Sequence, residues 1–230
     1  MNHFRRVAPF AALGFALTTA RAVMIDEIQV YTDDINAPGK FGLELHLNIT
    51  LSGRRVPDYL GEITPHRGIG FSPEFSYGLT KDFETGLYLP FERTAGGAKD
   101  FAGAKLRMKW LPVKPDEKLG GWFAGANYEL SCLQPRFDEG RWGSELRTMI
   151  GFRRPEWLLA ANPGFSWTMA GPDRSARLEF ELQLQASREI VKGLSFGPEY
   201  YAGFGPIGRA LPRSEQDHTL YAAFDVDVHP

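Results

Sequence analysis

The sequence predicts an all-β protein in which about ten antiparallel strands form an up-and-down transmembrane β-barrel. Three observations support this prediction. Segments of alternating apolar and polar residues follow one another along the chain, their charged residues fall only in the polar register, and an export signal precedes them. The 25 glycines and 16 prolines among 230 residues also favour many short strands over helices.

Residues 1–22 have the three parts of a cleavable signal peptide. Arg5 and Arg6 provide a basic start, an apolar run follows over residues 7–17, and small residues surround the predicted cleavage site near Ala22. The apolar run is too short to span a bilayer as a helix. We therefore expect residues 23–39 to form a periplasmic amino-terminal segment, and residues 40–230 to form a barrel in the outer membrane of a Gram-negative bacterium.

The charge and cysteine content exclude several classes of protein. Cleavage of the signal leaves 23 basic and 28 acidic residues, a formal charge of −5, which gives no reason to expect nucleic acid as a partner. No later stretch approaches the roughly 18 apolar residues of a membrane-spanning helix. Cys132 is the only cysteine, so an intramolecular disulfide is excluded, and we expect an unreactive thiol.

The first three strands are predicted from their side-chain register. Between residues 40 and 52 the odd positions from Phe41 to Leu51 are apolar, whereas the even positions are small or polar. This period of two is typical of a strand with one apolar face. The same alternation runs over residues 69–79 and again over residues 85–91, and the tight Lys81–Asp82 turn between them predicts a β-hairpin.

Seven further strands are predicted from segments that keep the alternation but shift its parity: 102–110, 122–130, 142–152, 157–169, 176–186, 194–204 and 220–228. The links between strands are long at 53–67, 93–100, 132–140 and 205–216, and short near 80–82, 153–156 and 188–192. Bacterial barrels alternate in this way between long external loops and short periplasmic turns. Two links depart from the pattern, since 113–120 is long for a turn and 170–174 is short for a loop.

The size of the apolar face bears on what it contacts. Roughly fifty residues lie on that face, whereas a closed eight-stranded barrel holds only about twelve inward side chains. A soluble single barrel is thereby excluded, which leaves a two-sheet sandwich or a barrel whose apolar face points outward. All five tryptophans fall in the apolar register near strand ends and predict two aromatic girdles: Trp110, Trp122, Trp142, Trp157 and Trp167.

The charged residues of the polar register predict a charged lumen, because a basic side chain facing lipid at the midplane costs about 2–4 kcal/mol. They are Glu44, Glu74, Glu84, Lys105, Arg107, Lys109, Glu129, Glu145, Arg147, Arg177, Glu179, Glu181, Glu199, Asp225 and Asp227. Two states are open: a packed interior in which acids neutralise bases, or a narrow water-filled pore. The excess of acids would direct an open path toward cations or polar neutral solutes.

No catalytic residue, metal site or cofactor is expected from the sequence. His46 lies in the polar register of a strand, and His66, His218 and His229 lie in or near connections without metal-ligand spacing. Asp217 beside His218 is an acid–base candidate near the expected external rim. A rim-active outer-membrane enzyme is therefore kept as an alternative.

Residues 74–91, with the sequence EFSYGLTKDFETGLYLPF, resemble a hairpin of the transporter-like outer-membrane barrels named for a MetA pathway of phenol degradation. The resemblance implies a barrel and the passage of small hydrophobic or aromatic compounds, and it identifies no catalytic residue. Barrels of this kind usually finish with a strand that ends in Phe or Trp, whereas this chain ends at His229 and Pro230. A twelve-stranded barrel that lacks its last hairpin is therefore the alternative to ten strands.

The expected function is that of a non-enzymatic channel or transporter-like protein for small molecules. Its expected partners are the lipid bilayer, the outer-membrane assembly machinery and an unidentified small solute. Besides the rim-active enzyme, the alternatives are a purely structural barrel and a soluble periplasmic β-sandwich.

Overall fold

The computed structural model describes residues 29–50, 53–171 and 177–226, without the side chains of Asp225 and Val226. The predicted signal peptide, residues 23–28 of the predicted periplasmic segment, and Asp227 of the predicted lumen lie outside the described residues. The described ranges contain no α-helix, and therefore no helix that could cross a membrane.

Twelve β-strands occupy the described part of the chain. They are β1 (Phe41–Ile49), β2 (Ile69–Gly78), β3 (Phe83–Tyr88), β4 (Phe91–Arg93), β5 (Lys99–Phe101), β6 (Gly103–Val113), β7 (Gly121–Leu133), β8 (Trp142–Arg154), β9 (Trp157–Ala170), β10 (Glu179–Val191), β11 (Leu194–Pro206) and β12 (Asp217–Val226). All of them belong to one sheet.

The sheet is an antiparallel meander in which most strands pair with their neighbours in the chain, and β3 to β6 are the exception. β2 pairs with β1 on one side and with both β3 and β4 on the other, while β6 pairs with β3 and β5 with β4. From β6 onward every strand pairs with the next one up to β12. The predicted all-β, antiparallel, up-and-down order is therefore confirmed.

The strand count differs from the predicted ten because the strand predicted at 85–91 is interrupted, and because a further short strand, β5, precedes the strand predicted from residue 102. Pro90, which cannot donate a ladder hydrogen bond, separates β3 from β4, and Ala102 separates β5 from β6. The β4–β5 hairpin also places residues 99 and 100, expected in a loop, inside the sheet. Among the described residues no ladder joins β1 to β12, so the closure of the sheet into a barrel stays a prediction.

The two faces of the sheet differ in polarity. In β6, Leu106 and Met108 are 47% and 48% exposed, whereas Arg107 between them is 3% exposed. The same reversal runs through the other long strands, because side chains alternate between faces with a period of two. The charged face is therefore the buried one, and the apolar face is the exposed one.

The buried face surrounds residues 29–38, which we call the inner segment. Val30 and Tyr31 of this segment are 5% and 1% exposed, and they belong to a small apolar cluster. The sheet contributes the rest of that cluster from β6, β7, β8 and β9: Leu111, Phe123, Met149, Leu158 and Ala160. The inner segment therefore lies on the concave side of a curved sheet.

One end of the sheet is covered by the connections 53–67 and 134–141. Ile63 packs against Ala102 and Phe137, and its backbone N–H donates to the carbonyl of Arg136 at 2.8 Å. Arg136 also forms an ion pair with Asp100 at 2.9 Å. These contacts join the two connections into one cap, the rim cap.

Candidate functional site: the charged interior

The residues predicted to line a lumen are distributed unevenly over the structure. Eleven are buried or half-buried on the concave face: Glu44, Glu74, Glu84, Lys105, Arg107, Lys109, Glu129, Glu145, Arg147, Glu181 and Glu199. Arg177 and Glu179 are exposed at the start of β10, and the side chain of Asp225 lies outside the described residues. The structure thus brings most of the set together around the inner segment, and their role as a lumen lining stays a prediction.

Arg107 is at the centre of the best-defined charge cluster. Its Nη2 lies 2.5 Å from Glu74 Oε1 and 2.5 Å from Glu84 Oε1, and all three side chains are at most 5% exposed. β2, β3 and β6 position these residues as neighbours on one face, because Gly86 is directly opposite Arg107. A Cβ at Gly86 would lie 2.8 Å from Arg107 Nε, so the glycine leaves the space that the guanidinium occupies.

A second group of polar contacts lies on β8 to β11. Arg147 forms an ion pair with Glu145 two residues earlier on the same strand. The Ser166 hydroxyl donates to Glu181 Oε1 at 3.2 Å, and the Tyr201 hydroxyl donates to Glu199 Oε2 at 2.7 Å. Buried carboxylates on this side are therefore paired with hydroxyl and guanidinium donors.

Tyr31 of the inner segment joins the two sides of the interior. Its hydroxyl donates to Glu129 and lies 3.2 Å from the hydroxyl of Tyr88. Arg107, Lys109 and Arg147 lie 5.4–5.8 Å from the centre of its ring, within the range of cation–π attraction. The side chain of Tyr31 is therefore held in two ways: the face of its ring attracts three cations, and its hydroxyl donates to a carboxylate.

The backbone of the inner segment is held by side chains of the sheet. Asn162 accepts from the N–H of Tyr31 at 2.6 Å and donates to its carbonyl at 3.0 Å, as a neighbouring strand would. The N–H of Asn36 donates to Glu84 at 2.6 Å, and Lys109 donates to the carbonyl of Asp34 at 2.6 Å. The sheet therefore satisfies backbone groups that would otherwise be buried without partners.

Two further features fix the inner segment. Asp33 forms a bidentate ion pair with Arg153, with distances of 2.5–2.8 Å. Gly78 leaves space for the backbone of Ala37, since a Cβ at this position would overlap the Ala37 carbonyl. The segment thus fits a surface that the sheet provides along much of its length.

The rim cap has its own electrostatic pair. Arg54 donates to both carboxylate oxygens of Glu62 at 2.5 and 2.7 Å, and these hydrogen bonds lower the pKa of Glu62. Burial, together with the nearby Glu62 carboxylate, raises the pKa of Tyr59 to about 12. Both groups keep a single charge state at neutral pH, Glu62 ionised and Tyr59 neutral.

The tryptophans point away from the interior. Trp110, Trp122, Trp142 and Trp157 are 40–66% exposed, and Trp167 is half-buried. Trp122 and Trp157 begin strands at one end of the sheet, whereas Trp142 begins a strand at the other end. This placement is compatible with two girdles, which stay a prediction.

The acid–base candidate at the predicted rim has a different arrangement from a catalytic dyad. His218 Nδ1 lies 2.7 Å from the Tyr200 hydroxyl, and its Nε2 lies 3.2 Å from Gln216 Oε1. Its ring nitrogens are thus engaged by a phenol and an amide.

Sequence reasoning missed the inner segment as part of the interior. Residues 29–37 show no alternation, so no periodic signal marks the burial of Tyr31. The side-chain amides of the interior could have been predicted from the sequence, because Asn127, Asn162 and Gln183 fall in the polar register of their strands. The periplasmic location of the segment stays a prediction.

Comparison of the chain with models of known families, with curated proteins and with solved structures finds no match. The resemblance of residues 74–91 to the phenol-degradation barrels therefore stays a prediction.

Proposed function

We propose that this protein is an outer-membrane β-barrel that admits or binds small solutes, and that it is not an enzyme. One observation carries the proposal: large apolar side chains are exposed on the outer face of the sheet while charged ones are buried inside. Phe41, Leu43, Ile150 and Leu159 are each at least 50% exposed, whereas Glu74, Arg107 and Arg147 are at most 4% exposed. A continuous apolar face of this kind is expected where lipid is the solvent.

Curvature supports closure of the sheet around its interior. Tyr31 contacts Tyr88 on β3 and Asn162 on β9, which are four strand positions apart. In a flat sheet four strand spacings measure about 19 Å, far more than one residue spans. The inner segment also reaches β1, where the Gln29 amide lies 3.4 Å from Glu44 Oε2. The soluble sandwich alternative requires two facing sheets, and the described strands form one.

The residues inside the sheet favour restricted passage of solutes and argue against a wide open pore. The inner segment and the buried side chains of the sheet lie on the concave side, and this favours the packed state of the two left open by the sequence. Seven of the eleven interior charged residues named above are acids and four are bases. This excess favours cations or polar neutral solutes over anions.

The first experiment is cell fractionation combined with migration in SDS gels of boiled and unboiled samples. A closed barrel in the outer membrane is expected to migrate differently before and after boiling. Planar-bilayer recording of the purified protein then tests passage, with small conductance and cation preference expected. A protein found in the soluble periplasmic fraction without a mobility shift, or a channel that prefers anions, contradicts the proposal.

A further inference from the structure

We propose that Glu44, His46 and Glu74 form a binding site for a divalent transition-metal ion, with Zn²⁺ as the reference ion. Glu44 and His46 are two residues apart on β1 and therefore share the concave face. Glu74 on β2 is directly opposite Glu44 in the strand pairing. One ligand atom from each residue lies within 4.8 Å of the other two.

The spacing of these atoms is close to that of a metal coordination shell. Ligand atoms at about 2.0–2.2 Å from one ion in tetrahedral geometry are about 3.3–3.6 Å apart. His46 Nε2 already lies 3.5 Å from Glu74 Oε2. Glu44, whose side chain is half-buried, has to move inward by up to about 1 Å to complete the shell, which rotation about its side-chain bonds supplies.

Arg107 does not compete with a metal ion for Glu74, because it contacts the carboxylate oxygen that faces away from His46. Its guanidinium contacts Oε1 of Glu74 at 2.5 Å, whereas Oε2 of the same carboxylate is the oxygen near His46. A ligating carboxylate is commonly hydrogen-bonded through its other oxygen, and this contact fixes its orientation. The Arg107–Glu74 pair therefore presents Oε2 to an ion.

The charge of the surroundings also favours a cation. Glu44 and Glu74 are like charges directly opposite each other, and a cation bound between them would reduce the repulsion that remains beside the Arg107–Glu74 pair. Gln29 provides a further polar group, since its amide lies beside Glu44 and its Oε1 is buried without a hydrogen-bond partner. The mixed imidazole and carboxylate donors favour Zn²⁺ or Co²⁺ over Ca²⁺ or Mg²⁺.

This inference rests on the interior geometry and not on the location of the protein in a membrane, so its failure is distinguishable from that of the proposed function. The test is titration of the purified full-length protein, freed of metal with chelator, first with Co²⁺ and then with Zn²⁺. Visible absorption of Co²⁺ reports the coordination, and calorimetry reports stoichiometry and affinity. One Co²⁺ per chain is expected, displaced by an equimolar amount of Zn²⁺.

The variants identify the ligands. Glu44→Gln and His46→Asn are each expected to weaken Co²⁺ binding by at least about tenfold, because each removes a direct ligand. Two matched controls, Glu181→Gln on β10 and His218→Asn on β12, are expected to bind within about twofold of the natural protein. Circular dichroism and heat-dependent gel migration verify the fold of each variant. If His46→Asn does not fold, Glu44→Gln decides, since glutamine retains the shape of a half-buried side chain.

Absence of saturable Co²⁺ binding in the natural protein would overturn the inference. The inference would also be overturned if both ligand variants bind Co²⁺ as tightly as the natural protein does. The same holds if the two control variants lose as much Co²⁺ affinity as the two ligand variants.

Discussion

Arg107 compensates two buried carboxylates at once, and this makes it a sensitive position. Replacing it by methionine preserves much of the side-chain volume but leaves Glu74 and Glu84 buried without their guanidinium partner. Removing one partner of a buried ion pair costs about 3–5 kcal/mol, because the remaining charge is uncompensated. We expect Arg107→Met to lower the free energy of unfolding by about this amount in urea titrations followed by tryptophan fluorescence.

The exposed pair Arg188–Glu156 provides the control for Arg107. Its atoms are 3.5 Å apart and both side chains are more than half exposed, so Arg188→Met is expected to change the free energy of unfolding by about 1 kcal/mol or less. Adding Glu74→Gln and Glu84→Gln to Arg107→Met is expected to recover part of the loss. Equal effects of Arg107→Met and Arg188→Met would contradict a charge-pairing role for Arg107.

Individual residues also differ in how well the sequence predicts their burial. The alternation of β6 predicts that Leu106 and Arg107 face opposite sides, and their exposures agree. Tyr31 gives no such signal, because its burial depends on contacts with Tyr88, Glu129 and Asn162 at separations of 57 to 131 residues. The proximity of Glu44 and His46 to Glu74 is hidden for the same reason, since nineteen residues lie between the end of β1 and the start of β2.

At the scale of elements, the inner segment is the part whose displacement would alter the interior most. Tyr31→Ala removes the ring that packs in the apolar cluster and the hydroxyl that bonds Glu129. We expect the backbone amides of the inner segment to exchange hydrogen at least about tenfold faster, while the strands keep their protection. The single-channel conductance is expected to rise in parallel.

Thr32→Ala is the matched control for the inner segment. Thr32 is half-buried, and its hydroxyl donates to the carboxylate of Asp34, two residues further along the segment, at 2.7 Å. Exchange in this variant is expected to stay near that of the natural protein. Unchanged exchange and conductance in Tyr31→Ala would contradict a blocking role for the segment.

The rim cap is expected to respond to acid through Glu62. The Arg54 hydrogen bonds hold the pKa of Glu62 below its ordinary value, so this pair stabilises the cap fully above the ordinary carboxyl pKa. The stabilisation is lost as the pH falls through the lower pKa of the folded state. We expect the protection of the amides within 53–67, corrected for the intrinsic pH dependence of hydrogen exchange, to fall as the pH drops below about 4.3, before the strands lose protection.

Arg54→Met is the partner experiment for the rim cap. Without the guanidinium the cap is expected to exchange faster already at neutral pH, and its acid response is expected to shrink. A cap that keeps the same pH response in Arg54→Met would show that another group governs it.

At the scale of the whole molecule, the strand order follows from local pattern but the contents of the interior do not. Each hairpin joins sequence neighbours, so alternation and turn residues suffice to predict the meander. The breaks at Pro90 and Ala102 and the threading of the inner segment depend on how distant strands curve toward one another. Period-two patterns specify which face is polar, and they carry no information on what fills the space enclosed by that face.

The outward face offers a test that separates lipid from water as its solvent. Leu106 is 47% exposed near the middle of β6, between Leu87 and Leu130 of the neighbouring strands. If lipid covers this face, Leu106→Arg is expected to lower the free energy of unfolding in bilayers by about 2–4 kcal/mol and to reduce the amount assembled in the outer membrane. Leu60→Arg, at a fully exposed position of the rim cap, is expected to change the free energy of unfolding by less than about 0.5 kcal/mol. An equally small effect at Leu106 would mean that water covers the apolar face, since an exposed leucine in water is replaced by arginine at almost no cost.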